Sequence, residues 1–190
     1  MKIRDSGMPD QEIWSGFFNP VETLRRLGFQ LSHEEVVDIG CGYGTFSVAA
    51  AQLTTGVVHA LDIDMGMVSA TAANAQRNAL HNIKATQRDF LVDGTGLPEG
   101  SVRYAMLFNI LHAEDPESLL RQAFYSLAIG GVVAVMHWIP DERTPRGPAL
   151  SIRPRPEQCL AWLRTAGFES ESQVIELPPF HFGVFAHKRS

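Results

Sequence analysis

One carboxylate and three alternating glycines, Asp38, Gly40, Gly42 and Gly44, are the first residues in this chain whose types and spacing could do chemistry. Glycines spaced in this way let the backbone turn through angles that a side chain forbids, and they bring bare peptide groups against a ligand. Asp38 adds a charge to that floor. A carboxylate repels a phosphate and attracts an ammonium group by roughly 1 kcal/mol or more at a partly buried site, so the ligand should present a cation here. A dinucleotide site would read G-x-G-x-x-G, but counting from Gly40 puts Thr45 where the third glycine should stand. Thr45 and Asp38 thus disfavour a nicotinamide-dependent reductase.

Asp62 stands 22 positions beyond Gly40, an interval at which doubly wound folds bring an acid to the ribose hydroxyls. Asp64 reads as a helix N-cap, since an alanine-rich helix follows it. His112 and His137 each fall at the carboxyl end of a strand, where ligands gather in open α/β sheets, and either could act as a general base. His59 reads as structural. His33, His81, His181 and His187 have no spacing suggestive of a metal site, and no metal is expected. Cys41 and Cys159 are the only two cysteines; both read as free thiols.

The elements that must position these residues follow from hydrophobic periodicity and turn signals. Residues 36–39 form a strand ahead of the glycine turn, and a helix follows over 45–53. A strand over 57–61 ends at Asp62 and leads to a helix over 65–79. Next come a strand over 83–88, a turn-rich loop over 93–100, a strand over 102–108 and a helix over 116–128. A turn at Ile129, Gly130 and Gly131 leads into a strand over 132–138. Five strands with intervening helices in this order imply parallel pairing with right-handed crossovers. A helix over 156–166 stops at Gly167, and a strand near 168–176, a turn at Pro178 and Pro179 and a last strand near 180–187 end the pattern.

Two stretches admit two readings each. Before the first strand, Trp14, Phe17, Phe18, Val21, Leu24 and Leu27 recur at helical spacing, with Asn19 and Pro20 able to start a new helix. The aromatic residues either cover one face of the sheet or form a lid over the ligand, with Gly7 and Gly16 as hinges. Between 139 and 156, five prolines alternate with Arg143, Arg146, Arg153 and Arg155. This is either a solvated crossover or a receiver for an anionic substrate.

At 190 residues, 45% hydrophobic and 19% charged, the chain has the composition of a single soluble globular domain. No apolar run approaches a membrane span and the first residues lack the apolar core of a signal peptide, so a cytoplasmic location is expected. The formal charge of −5 offers no general field for a polyanion.

The acid followed by G-x-G-x-G at the end of a first strand resembles motif I of the class I S-adenosylmethionine-dependent methyltransferases, in particular their small, type 11-like members. The likeness extends over residues 33–188. It implies an α/β fold, a doubly wound Rossmann-like seven-stranded sheet, mostly parallel with an antiparallel last strand and helices on both faces. It also implies S-adenosylmethionine as cofactor, with Asp38, Gly40, Cys41, Gly42 and Gly44 around its methionine part. Asp62 would hold the ribose, Ile63 would pack on adenine, and Asp89 and Phe90 would clamp the adenine edge. Asn109 opens the segment Asn109 to Pro116, which resembles the one that follows the fourth strand in small-molecule methyltransferases. That segment is not Asn-Pro-Pro-Tyr or Asp-Pro-Pro-Tyr, and no Pro-Cys nucleophile is present, which weighs against a nucleic-acid base as acceptor. The expected layout is a helical cover over residues 1–32 and a methyltransferase domain over 33–190. The expected acceptor is a small molecule, and the oligomeric state is open. The competing readings are a cofactor-binding protein without catalysis and the reductase.

Overall fold

The computed structural model describes residues 9–31, 34–169 and 173–189. The expectations placed on Gly7 and His33 fall outside the described residues. Val36 and Val37 open strand β1 (Val36–Ile39), which is buried along its whole length, as befits a strand covered on both faces. Its parallel neighbours are β2 (Val58–Asp62) and β4 (Val102–Phe108). Strand β3 (Ile83–Gln87) extends the sheet beyond β2, and β5 (Leu127–Trp138) extends it beyond β4, again in parallel. The antiparallel end is made by β7 (His181–His187), paired with β5, and by β6 (Ile175–Leu177), paired with β7.

The resulting order, β3-β2-β1-β4-β5-β7-β6, is the doubly wound seven-stranded sheet that the sequence implies. The chain runs outward from β1 to β3 and then returns to place β4 beside β1. That reversal opens a crevice at the carboxyl ends of β1 and β4, where such sheets bind ligands.

The period-2 alternation of the strands divides the apolar residues between two faces. From β4, Tyr104, Met106 and Phe108 join Leu24, Leu27 and Phe46 on one face. Ala105 and Leu107 join Leu119, Leu120, Leu160 and Leu163 on the other. Helix α3 (Thr45–Leu53) starts directly from Gly44. Helix α4 (Met65–Arg77) is capped as expected by Asp64, whose carboxylate accepts from Gly66 N at 2.6 Å. Asp115 caps α5 (Pro116–Ser126) by accepting from Ser118 N at 2.9 Å, and Pro116 occupies the first turn.

The residues before β1 form α1 (Gln11–Ser15) and α2 (Pro20–Arg26), the second capped by Asn19. Leu24 and Leu27 are fully buried, and the Tyr104 hydroxyl donates to the Leu27 carbonyl at 2.9 Å. This segment therefore shares the core of the sheet.

Two expectations need correction. The turn placed at 129–131 lies inside β5, which is continuous from Leu127. Gly130 N donates to the Lys188 carbonyl at 2.7 Å and Lys188 N to the Gly131 carbonyl at 3.0 Å, so pairing with the distant end of the chain holds the glycines in the sheet. The strand placed at 168–176 reduces, among the described residues, to a single bridge between Glu169 and His187 and to β6.

Candidate functional site

The glycine loop leaves β1 and is fastened from two sides. Gly42 N donates to Asp62 Oδ2 at 2.9 Å, and Asp64 N donates to Asp62 Oδ1 at 3.0 Å, so one carboxylate at the end of β2 ties the loop to the start of α4. Thr71 of α4 donates its hydroxyl to the Gly42 carbonyl at 2.9 Å. Gly40 and Gly44 take φ of 81° and 75°, a region that favours glycine. A Cβ at Gly40 would run into the Ile110 side chain, and one at Gly44 would lie 2.7 Å from Thr71 Oγ1. The close approach expected of these glycines is thus made first by the protein's own side chains.

Asp38 is 3% exposed and accepts from Ser47 Oγ at 2.6 Å. Burial pushes its carboxyl up to about 7, the Ser47 hydroxyl draws it down, and neighbouring Asp62 adds a small upward push. Burial also raises the Asp62 carboxyl, against the lowering effect of the Asp64 and Gly42 amides. An acid held near neutrality in this way gains when a cation arrives beside it.

These groups border a cavity of about 360 Å³, large enough for a small-molecule cofactor. Its lining includes the expected residues Asp38, Gly40, Cys41, Gly42, Asp62, Ile63, Phe90, Asn109 and His112. Three other expected residues lie elsewhere. Gly44 serves as the N-cap of α3. The Asp89 carboxylate accepts from Leu91 N and Val92 N, both at 3.2 Å, as the cap of a turn. His137 is fully buried on β5 beneath the lining.

His112 reaches the cavity, and its Nδ1 lies 3.3 Å from His137 Nε2. Burial holds the His137 imidazole well below its ordinary value, and His112, His181 and Arg153 push in the same direction. His137 is therefore a neutral partner to His112. His181 is likewise buried and pushed down to about 3, chiefly by desolvation.

Arg153, from the proline-rich connection, is buried, and its guanidinium donates to the carbonyls of Ile139, Arg146 and Pro148. It braces that loop. Arg143 pairs with Asp141 at 2.7 Å in solvent. Neither arginine lines the cavity.

Sequence reasoning missed several walls, among them Tyr43, Phe46, Met67, Phe108, Glu114 and Trp138. Phe108 and Trp138 end β4 and β5, so the rule that ligands sit at carboxyl ends of strands could have found them. Trp14, considered for a lid, does line the cavity. Phe17 packs on Trp138 and Phe180, and Phe18 on Phe46 and His181. Both cysteines are free and buried, and desolvation raises both thiols, Cys159 to about 12. Among the described residues no cluster of His, Cys, Asp and Glu could hold a metal, and no helix is long and apolar enough to cross a membrane.

A buried acid, a glycine loop and a tethered second acid thus meet at the switch point of a doubly wound sheet, where such sheets bind ligands. Residues 36–131 match the methyltransferase-domain family model. This chain therefore belongs to the methyltransferase-domain family. A solved S-adenosylmethionine-dependent methyltransferase from Aquifex aeolicus superposes with a TM-score of 0.82 over 94% of each chain, at 21% identity. The [4+2]-cyclase SpnF superposes with a TM-score of 0.76 over 100% of this chain and 87% of its own, at 16% identity. At such identities these likenesses speak to the fold. A ribosomal protein L11 methyltransferase from Oceanobacillus iheyensis is 28% identical over 114 residues, which are 59% of this chain and 36% of that protein. The chain spans 16% to 36% of the length of the curated relatives it matches.

Proposed function

We propose that the cavity holds S-adenosylmethionine and transfers its methyl group to a small-molecule acceptor. The observation that carries this reading is the pairing of two differently built acids. Asp38 is buried, has a carboxyl lifted to about 7 and lines the cavity, which suits it to a methionyl ammonium. Asp62 is already oriented by two backbone amides and keeps acceptor capacity for ribose hydroxyls. Gly40, Cys41 and Gly42 form the floor under the methionyl part, with Gly44 setting the turn. Ile63 and Phe90 flank the adenine, and Asp89, whose Oδ1 accepts from the Leu91 and Val92 amides, receives its amine. Asn109 borders the place of the reacting methyl group.

The cofactor supplies an activated methyl group on sulfonium sulfur. What the chain must supply is alignment and, for a protonated acceptor, a base. His112 lines the cavity and is the catalytic base of this reading, with His137 behind it as a positioning residue. Residues 1–32 act as the cover and 33–190 as the methyltransferase domain, and the free thiols favour a cytoplasmic setting.

The acid-lined, aromatic-walled cavity favours a small acceptor over nucleic acid. A protein acceptor, as in the name of the ribosomal protein L11 relatives, is the second reading. Calorimetry with S-adenosylmethionine and with its demethylated product tests the proposal directly. Micromolar binding is the expected result, and folded protein that binds neither at millimolar concentration would reject it.

A further inference from the structure

Across the sheet from Asp38 and Asp62, the cavity changes character. Trp14 of α1, Phe108 at the end of β4 and Trp138 at the end of β5 form its walls there. The two tryptophans meet edge to face with ring centroids 6.1 Å apart. Beside them stands Asn109, whose backbone is held at φ 56°. Its main-chain N–H donates to the Met136 carbonyl at 2.7 Å. Its side-chain Oδ1 and Nδ2, however, are buried without a hydrogen-bond partner.

A buried amide with both ends unused, on a residue that borders the cavity and takes a left-handed backbone, is a group kept for a ligand that draws it out. The amide can accept from an O–H or N–H and donate to the same heteroatom's lone pair, so it suits a protic, uncharged group. The charges around the cavity point the same way. Asp38, Asp62, Asp64 and Glu114 line it, and the lining contains no Lys or Arg. An anionic acceptor would therefore meet like charge, since Arg153 is committed to backbone carbonyls. A cationic acceptor would meet the like charge of the sulfonium.

Building on the methyltransferase reading, we infer that the acceptor is an uncharged small molecule bearing an aromatic ring. The ring lies among Trp14, Phe108 and Trp138, and the nucleophilic heteroatom rests on the Asn109 amide. Aromatic rings prefer edge and offset contacts of the kind these walls present. In the transfer, the lone pair of the acceptor heteroatom forms the bond to the methyl carbon. The carbon–sulfur bond breaks with its electron pair going to sulfur, and the acceptor proton passes to His112 and then to solvent.

The test is calorimetry on protein loaded with S-adenosylhomocysteine, using four probes of similar size. These are 4-methylphenol, 4-hydroxybenzoate, tyramine and 4-methylcyclohexanol. The neutral aromatic probe should bind at least about 10-fold more tightly than each of the others, because the lining acids repel a carboxylate, an ammonium gives up its hydration where Asp38 and Asp62 already face the cofactor and Asp64 holds its helix cap, and flat walls favour a flat ring. Asn109→Gly removes the amide while keeping the left-handed backbone accessible. It should weaken 4-methylphenol by about 10-fold, in line with a lost hydrogen bond in a dry site, with circular dichroism confirming that the variant is folded. Either charged ring binding as tightly as 4-methylphenol would overturn the inference. So would binding of S-adenosylhomocysteine with none of the probes, or an unchanged 4-methylphenol affinity in Asn109→Gly. If S-adenosylhomocysteine itself does not bind, the methyltransferase reading fails and this inference falls with it.

Discussion

At the β1 and β2 end of the cavity, the polar groups Asp38, Gly42 and Asp62 come from one continuous strand, loop, helix and strand. At the β4 and β5 end, Trp14, Phe108, Asn109 and Trp138 come from well-separated parts of the chain. The first end is built on backbone geometry and mutual hydrogen bonds, so almost any change there disturbs several contacts at once. The second is built by convergence of strand ends and a preceding helix. Its side chains come from separate elements, and on the reading proposed above this is the end that would meet the acceptor.

Breaking the first end should have the largest effect. Asp62→Ala deprives Gly42 N and Asp64 N of their acceptor and removes the proposed ribose anchor. Calorimetry should show cofactor affinity reduced by at least about 100-fold, the product of two charge-assisted hydrogen bonds. A loss under about tenfold would mean the loop stands without its tether and the contrast between the ends is overdrawn. Gly44→Ala should come next, through stability. The left-handed backbone and the nearby Thr71 hydroxyl together predict a loss of about 2 kcal/mol in urea denaturation.

Asp38→Asn separates stability from binding. The Asp38 carboxyl is raised in the folded protein from 3.8 to about 7, so folding favours its protonated form. Its contribution to stability is present below about pH 4 and is lost as pH rises to about 7. At pH 8 the variant should therefore melt at a higher temperature than the parent and bind the cofactor about 10-fold more weakly, an exchange common at functional sites. In the parent protein, cofactor affinity should fall as pH drops below about 7, since the cation then meets a protonated acid. Flat calorimetric affinity from pH 8 to pH 6 would remove Asp38 from this role.

The smallest effect belongs to Asp64→Ala, which loses a helix cap worth about 1 kcal/mol. Cofactor affinity should stay within about threefold. Equal losses at Asp62 and Asp64 would show that the ribose anchor is misassigned.

The same contrast explains what the sequence made legible. The strand, glycine turn, helix and acid from Val36 to Asp64 depend on local propensity and spacing, and their elements and caps match the structure closely. Asp89 and His137 were named from their place after or within a strand. Where a carboxylate turns, and which face of β5 a histidine occupies, depend on neighbours distant in sequence. Trp138 follows His137 on the opposite face, so a shift of one residue separates a cavity wall from a buried ring. The glycines of β5 read as a turn because their pairing partner, near Lys188, lies at the far end of the chain.

The Tyr43 hydroxyl of the glycine loop donates to the Pro9 carbonyl at 3.2 Å, and Gln11 Nε2 donates to Asn74 Oδ1 of α4 at 3.0 Å. Two stitches thus join the leading helix and the residue just before its cap to the same loop and helix that would receive the nucleoside. Occupancy at one end of the crevice will be felt as slower deuterium uptake along residues 11–15. That short helix becomes a gauge that can be read without knowing what is methylated.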